Sequence, residues 1–460
     1  MSRSTAIRGR RLACTGLLVG AVALVSWVGC SQAPPPNLEG VRATAGQTPV
    51  IFVSGVTGVG FRDVATGKFV WGRGSDLISP HDRGYAIARP IVEGHGGPEL
   101  EPAGAILSLK LLGLFRIDVY QPLVDLFEAN GYQVGSLDSP EPDDGFFLFS
   151  YDWRQDNVAS AQRLARQLEA LRRVRRQDRL KVVLICQSNG AHVCRYFTKY
   201  GDLNLEEAAA GVARRTPGLE VDKIVLVGAS NGGSLGILRE LTVGRKYVKA
   251  IGRYWSPETL FTFQSLFQDL PVYSPDLFVD EQGVPMSVDL FKASSWQQFE
   301  WSIYSQDTQR QLAKNKHPAW FGDRADRVAY LGEALDRAQR FHRLLGRDAP
   351  EIGATRYYLV TNTHMETSAR AVLWRENGHW QTLFAGDKKL QRRPDLEALI
   401  TVPGDGHATA VSQRWLSPQE RARVARDPLD VDGGHRMVVL HPATLSYLLE
   451  ILADEAEPES

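Results

Sequence analysis

The 460-residue sequence predicts an α/β fold, a mostly parallel sheet flanked by helices. Two observations carry that prediction. Short apolar runs recur, each closed by a turn: "PVIFVSG" at 49–55, "FFLFSYDW" at 146–153, "KVVLIC" at 181–186, "KIVLVG" at 223–228, "RYYLVTN" at 356–362 and "ALITVPG" at 398–404. Runs of this length and composition suit strands buried on both faces. Helical patterns lie between several of them. Over 158–174, Leu164, Leu168 and Leu171 recur at helical spacing with arginines on the other face, the pattern of a solvated helix surface. Strands alternating with helices build a sheet with parallel order.

Taken in order, the chain opens on an export segment, 1–30. Arg3, Arg8, Arg10 and Arg11 precede an apolar run from Leu12 to Val28. The run ends "SWVGC", which resembles a bacterial lipoprotein box apart from Trp27, so Cys30 is the expected site of lipidation, the alternatives being an ordinary cleaved signal or an uncleaved anchor. An exported, membrane-anchored protein follows from that reading. Residues 31–47 begin "SQAPPPN" and read as a stiff linker. The first part of the core is expected over 48–236 and the second over 351–455, with a tail at 456–460. Between them, 237–350 shows no clear buried strand and is loaded with aromatics, among them Trp255, Phe261, Phe267, Trp296 and Trp301. An insertion this long is expected to be a cap subdomain, not a structureless loop. Most of its aromatics must form its own core, and a few are expected to line an apolar acyl pocket.

Composition removes other classes. The formal net charge is zero, so nothing points to a nucleic-acid partner. The histidines are scattered, and no cluster has metal-ligand spacing; neither a metal nor an organic cofactor is implied. Cys14 lies in the export segment. Cys186 and Cys194 read as small buried apolar residues, and a disulfide framework is not expected although the compartment permits one.

Two serines compete for the role of nucleophile. "LICQSNGAHVCRYF" at 184–197 is a strand, a polar turn and an immediate helix, with Ser188 between Cys186 and Gly190. It nearly spells Gly-x-Ser-x-Gly, the elbow that exposes a catalytic serine. "GASNG" at 228–232 spells it fully around Ser230. An elbow needs small residues two before and two after the serine, and a helix whose N-terminus faces the site. Ser188 meets both needs: Val193, Tyr196, Phe197 and Tyr200 share a helix face and Gly201 stops it. Ser230 leads into glycine-rich "SNGGSLG", a slow helix start. Geometry favours Ser188 and leaves Ser230 open.

A family resemblance separates them. "PVIFVSGVTGVGF", "FSYDWRQD", "LICQSNGAHV", "LVGASNGGSLG", "VPGDG" and "GGHRMVVLHPATLSYLL" stand in one order. The chain resembles the lecithin:cholesterol acyltransferase-like α/β-hydrolases, which include lysosomal phospholipase A2, over roughly Pro49 to Leu452. The Tyr-Asp-Trp-Arg box at 151–154 is a fairly specific motif, and the several motifs in one order are stronger than any one. The resemblance implies an α/β-hydrolase fold, Ser188 as nucleophile in the place of Gly-His-Ser-x-Gly-Gly, and Ser230 in a structural Gly-Ala-Pro stretch. Gln187 stands where the family has a histidine that is not the base.

A serine nucleophile needs an imidazole base and an orienting carboxylate, in the order serine, acid, histidine. Asp405 follows an apolar run in the glycine-rich "VPGDG", where the family has its acid. Of the histidines beyond it, His407 is too near Asp405 to face it across a site. His441 precedes Pro442 and reads as the start of the last helix. His435 follows "DVDGG" and aligns with the family's histidine. His192 reads as an ordinary member of the elbow helix. The oxyanion hole is expected from the backbone N–H of Asn189, the residue after the nucleophile, and, by family position, of Val56. Gly55-x-x-x-x-Gly60 resembles a phosphate-binding loop, but Phe61-Arg62 follows where Lys-Ser/Thr is required, so those glycines read as room for an oxyanion. The resemblance implies a serine ester hydrolase or O-acyltransferase acting on a lipid ester, with water or an alcohol as acceptor and the membrane surface reached through the anchor. The rivals are a carboxylesterase on small esters and a non-catalytic surface lipoprotein.

Overall fold

The computed structural model describes residues 48–454 apart from 79–82, 93–95, 112–114, 247–253, 316 and 350–351. The export segment, Cys30, the linker and the tail lie outside the described residues. Seven parallel strands form the central sheet: β1 (Val50–Val53), β2 (Val134–Gly135), β3 (Phe146–Leu148), β4 (Leu180–Gln187), β5 (Leu219–Val227), β6 (Arg356–Thr361) and β7 (Leu429–Asp430). Their order across the sheet is β7-β6-β5-β4-β1-β3-β2.

The apolar runs are continuous because both faces are covered. Alternate side chains of a strand point to opposite faces. Ile51, Val53, Leu184, Cys186 and Leu226 meet one core, which includes α2 (Asn157–Val174) and α3 (Gly190–Tyr200). Val50, Phe52, Val183, Ile185 and Val227 meet the other, with α1 (Gln121–Ala129) and α6 (Pro442–Ala453). Helix α2 buries Leu164, Leu168 and Leu171 as the spacing predicts, and Asp156 caps its N-terminus by accepting from Val158 and Ala159 N–H.

One strand expectation is corrected. "ALITVPG" does not enter the central sheet. Its first residues finish a helix, Pro394–Ile400, and Thr401–Gly404 pairs with Met365–Ser368 in a two-stranded antiparallel ribbon. A short apolar run reads alike as strand or helix end. Here Leu396 and Ile400, four apart, are the buried pair. The place beside β6 goes instead to the two-residue β7, pairing at Val360↔Leu429.

The stretch 237–350 contains α4 (Leu235–Val243, which begins just before it), α5 (Arg324–Gly346) and several short elements. It also holds a strand that the sequence pattern does not show, Phe278–Asp280, whose Phe278 and Val279 are buried. That strand pairs in parallel with Ala371–Glu376, so the small four-stranded sheet joins this stretch to residues of the second core segment. The aromatics pack on one another: Trp296 meets Trp301 edge-on at 5.7 Å, Phe278 stacks on Trp301 at 5.2 Å and Trp255 stacks on Trp153 at 5.8 Å. No helix among the described residues is long and apolar enough to cross a membrane.

Candidate active site

Strand β4 ends at Gln187 and α3 starts at Gly190, so the chain reverses direction at Ser188. Ser188 is the pivot, at φ 54°, a left-handed conformation that is uncommon for a residue with a side chain. Its N–H donates to the Val227 carbonyl of β5 at 3.2 Å. Two glycines make the turn possible by absence of bulk. A Cβ on Gly190 would stand 2.3 Å from the Val53 carbonyl oxygen, and one on Gly55 would stand 2.6 Å from the Ser188 Cβ.

The three residues singled out by order and resemblance are brought together. Ser188 Oγ lies 2.8 Å from His435 Nε2, and His435 Nδ1 lies 2.7 Å from Asp405 Oδ2. Asp405 sits just past the Thr401–Gly404 strand and is 1% exposed. Its other oxygen, Oδ1, accepts from the His407 N–H at 2.9 Å and the Ala408 N–H at 2.7 Å. Burial works to raise its pKa. The charge that His435 carries when protonated, the hydrogen bond from it and the charge that His407 carries when protonated outweigh burial, so the carboxyl is held below its ordinary value. An ionised carboxylate only accepts, so His435 Nδ1 carries the proton and Nε2 offers its lone pair to Ser188. The His435 N–H also donates to the Asp405 carbonyl at 3.0 Å, which docks the histidine loop on the acid loop.

The remaining candidates fall elsewhere. Ser230 is fully buried in the turn after β5 and does not line the cavity over Ser188. His441 caps α6, its Nδ1 accepting from the Ala443 N–H. His192 is fully buried on α3. His407 does reach the cavity, with its ring 4.6 Å from that of His435. Burial first, then the charge of His435, lowers its pKa to about 3, so it stays neutral at physiological pH.

Of the two residues whose backbone N–H groups are expected to hold an oxyanion, Val56 lines the cavity. Asn189 follows Ser188 at the start of α3, its side chain locked in a reciprocal amide pair with Asn157 at 3.0 and 3.1 Å. Among the described residues, no backbone carbonyl accepts from the N–H of Val56 or Asn189.

The Tyr-Asp-Trp-Arg box explains why the Val56 loop stays in place. Tyr151 Oη donates to the Ser54 carbonyl at 2.5 Å and Trp153 Nε1 to the Val59 carbonyl at 2.9 Å, so the box grips the loop at both ends. Arg154 forks onto Asp152 with two 2.8 Å bonds and donates to the Ile87 carbonyl. The two charged side chains are 3% and 7% exposed. Arg154→Ala would leave the Asp152 carboxylate buried without its paired guanidinium, with only the more distant charge of Arg89 beside it. Unfolding by denaturant is expected to show a loss of about 3–5 kcal/mol.

Sequence reasoning missed two features of the elbow. Gln187 accepts from Tyr120 Oη at 2.9 Å and reaches the Arg436 carbonyl at 3.4 Å, tying the elbow to the residue after His435. Cys186 and Cys194 form a disulfide with Cα atoms 6.5 Å apart, which corrects the expectation of two separate apolar residues. The sign was present in the sequence: a cysteine two before the serine and another six after it, on the helix that folds back over the strand.

A cavity of about 300 Å³ opens over Ser188. Its apolar lining includes Trp71, Ile106, Leu109, Ile117, Ile237 and Leu440. None of the aromatics of 237–350 lines it among the described residues, which corrects the expectation that a few would do so. They are consumed by mutual packing, and most of the apolar wall comes from the excursion between β1 and α1, with Ile237 and Leu440 added from later in the chain.

No protein-family model matches the chain, and no curated protein matches it. Among solved structures, the crystal structure of the Tle4–Tli4 complex is similar, with a TM-score of 0.50 and 13% identity, covering 89% of this chain and 98% of that one. At that identity the likeness is one of fold. With a seven-stranded parallel sheet covered by helices on both faces and a strand-to-helix elbow at its centre, the chain has an α/β-hydrolase fold.

Proposed function

We propose that this protein is a serine-dependent ester hydrolase or acyltransferase of the lecithin:cholesterol acyltransferase type, acting on a lipid ester. The observation that carries the reading is the chain of contacts Ser188 Oγ–His435 Nε2–Asp405 Oδ2, at 2.8 and 2.7 Å, on the floor of an apolar cavity. Ser188 Oγ attacks the ester carbonyl carbon while Nε2 takes its proton. The carbonyl oxygen becomes an oxyanion between the N–H groups of Val56 and Asn189. Collapse breaks the bond to the alcohol oxygen, which leaves with the proton from Nε2. Water or an alcohol then gives its proton to Nε2, attacks the acyl-enzyme and restores Ser188. Asp405 remains ionised throughout and stabilises the imidazolium.

The apolar wall supports a lipid acyl group. The test is a mass-spectrometric survey of acyl products from mixed lipids, with sterol or glycerol offered as acceptor. Release of fatty acid or its transfer is the expected result; turnover of none of the lipids overturns the lipid assignment. A second reading, a carboxylesterase for small esters, is favoured by the cavity volume, which stands at the low end for ligand sites. Preferential turnover of short-chain over long-chain esters in the same survey would select it.

The export reading stands as a proposal with it. "SWVGC" motivates lipidation at Cys30. The Cys186–Cys194 bond supports an oxidising compartment. Mass spectrometry of the mature chain is expected to find an acylated Cys30 at its N-terminus, and Cys30→Ala to release the protein from membranes. An unlipidated mature chain starting elsewhere overturns the anchor.

A further inference from the structure

The disulfide lies next to the nucleophile, and the reaction scheme above gives it no part. We propose that the Cys186–Cys194 cystine is a positioning element for Ser188, a covalent strap that fixes the end of β4 against the first turns of α3 and so holds the elbow in its left-handed conformation. The inference rests on Ser188 being the nucleophile.

The loop that the bond closes runs from 186 to 194 and contains the whole elbow and little else. At one end, Cys186 is fixed by the centre of the sheet, in register with Val53 of β1 and with Leu226 of β5. At the other, Cys194 lies on α3, every residue of which is buried. The strap therefore joins two rigid elements whose relative placement decides where Ser188 Oγ points. A disfavoured backbone conformation persists only where its surroundings over-determine it. The other restraints on Ser188 are non-covalent: its N–H on Val227, the Ala191 N–H on its carbonyl at 3.0 Å, its Oγ on His435 at 2.8 Å, and the close approach of Gly55 to its side chain and of Gly190 to the Val53 carbonyl. Both sulfur-bearing residues are fully buried in the core, so a reductant reaches them only through local opening. The cystine is thus a constant restraint, not a switch. Smallness alone at position 186 would leave the start of α3 held by packing.

The experiment compares the wild-type chain with Cys186→Ala/Cys194→Ala, which keeps both positions small and apolar. In denatured, unreduced wild type, alkylation is expected to modify neither cysteine. The double variant is expected to melt cooperatively and keep KM. Its kcat and its rate of labelling by a fluorophosphonate should fall by about ten- to a hundredfold, the scale of a small misplacement of a reacting atom. Deuterium exchange at amides 188–191 should quicken relative to the rest of α3. A merely stabilising cystine would move the melting temperature and leave kcat untouched. If the double variant does not fold, wild type carries the test. Dithiothreitol in mild denaturant reduces the cystine to two thiols and is itself oxidised to its cyclic disulfide. The reduced chain should lose kcat and regain it on reoxidation. Unchanged kcat with unchanged exchange at 188–191 overturns the proposal, as does alkylation of both cysteines before reduction. Absence of wild-type labelling at Ser188 would sink the nucleophile assignment instead, while the exchange comparison still reports on the strap.

Discussion

Ser188→Ala is expected to abolish both ester turnover and covalent labelling by a fluorophosphonate, whereas Ser230→Ala should keep both. The probe reacts with a serine that a base activates and that faces an oxyanion hole. Ser188 has the His435 ring nitrogen at 2.8 Å and stands at the floor of the cavity. Ser230 is fully buried, so a probe cannot reach it without opening the turn after β5. The expected fall in kcat for Ser188→Ala is about five to six orders of magnitude, because the serine, base and acid act as a unit. Label on a tryptic peptide containing Ser230 would reverse the assignment. Folded protein that takes no label, where a known serine esterase reacts, would favour the non-catalytic lipoprotein.

Local chemistry made the elbow legible, and long-range pairing hid the rest. A buried strand running straight into a helix through a small residue, a serine and a glycine is a pattern within ten residues, and the turn has little freedom to be anything else. The fully matching motif around Ser230 misleads because its letters say nothing of depth. The bury-on-both-sides runs at 49–55, 146–153, 181–186, 223–228 and 356–362 hold the five longest sheet strands and the centre of the fold. By contrast, β2 and β7 are two residues each, too short to carry any period. The antiparallel pairing of Val59–Asp63 with Leu100–Ala105 depends on partners some forty residues apart. The destination of the aromatics was equally hidden. Composition announces a dense apolar cluster, but which surface it faces depends on where α5 and the small sheet close over it. The role of the Tyr-Asp-Trp-Arg box is visible only once its bonds to Ser54 and Val59 are drawn, since those partners lie more than ninety residues away.

Asp405→Asn is expected to lower kcat by about four orders of magnitude while leaving the chain folded, and the acid loop explains why an isosteric change does so much. Oδ1 of Asp405 accepts two backbone N–H bonds, from His407 and Ala408. An amide in this place keeps its oxygen toward those donors, which turns its NH₂ toward His435 Nδ1. Nδ1 must then accept, and the ring proton moves to Nε2, where it faces Ser188 Oγ instead of a lone pair. The base is present, in the right position, in the wrong tautomer. His435→Ala should fall by about three to five orders, and His441→Ala, at the cap of α6, should stay active. Acid separates the charge from the geometry. The folded pKa of Asp405 lies below its unfolded value near 3.9, so its ionisation contributes stability that is fully present above that pH and lost as pH falls through the folded pKa. The asparagine variant has no such titration. Melting temperatures measured from pH 7 to pH 3 should therefore show wild type ahead of Asp405→Asn at neutral pH, with the gap closing only below about pH 4. A gap that stays constant through that range would mean that the carboxylate is not held ionised by His435 and the loop, and an Asp405→Asn enzyme with near wild-type kcat would remove Asp405 from the site.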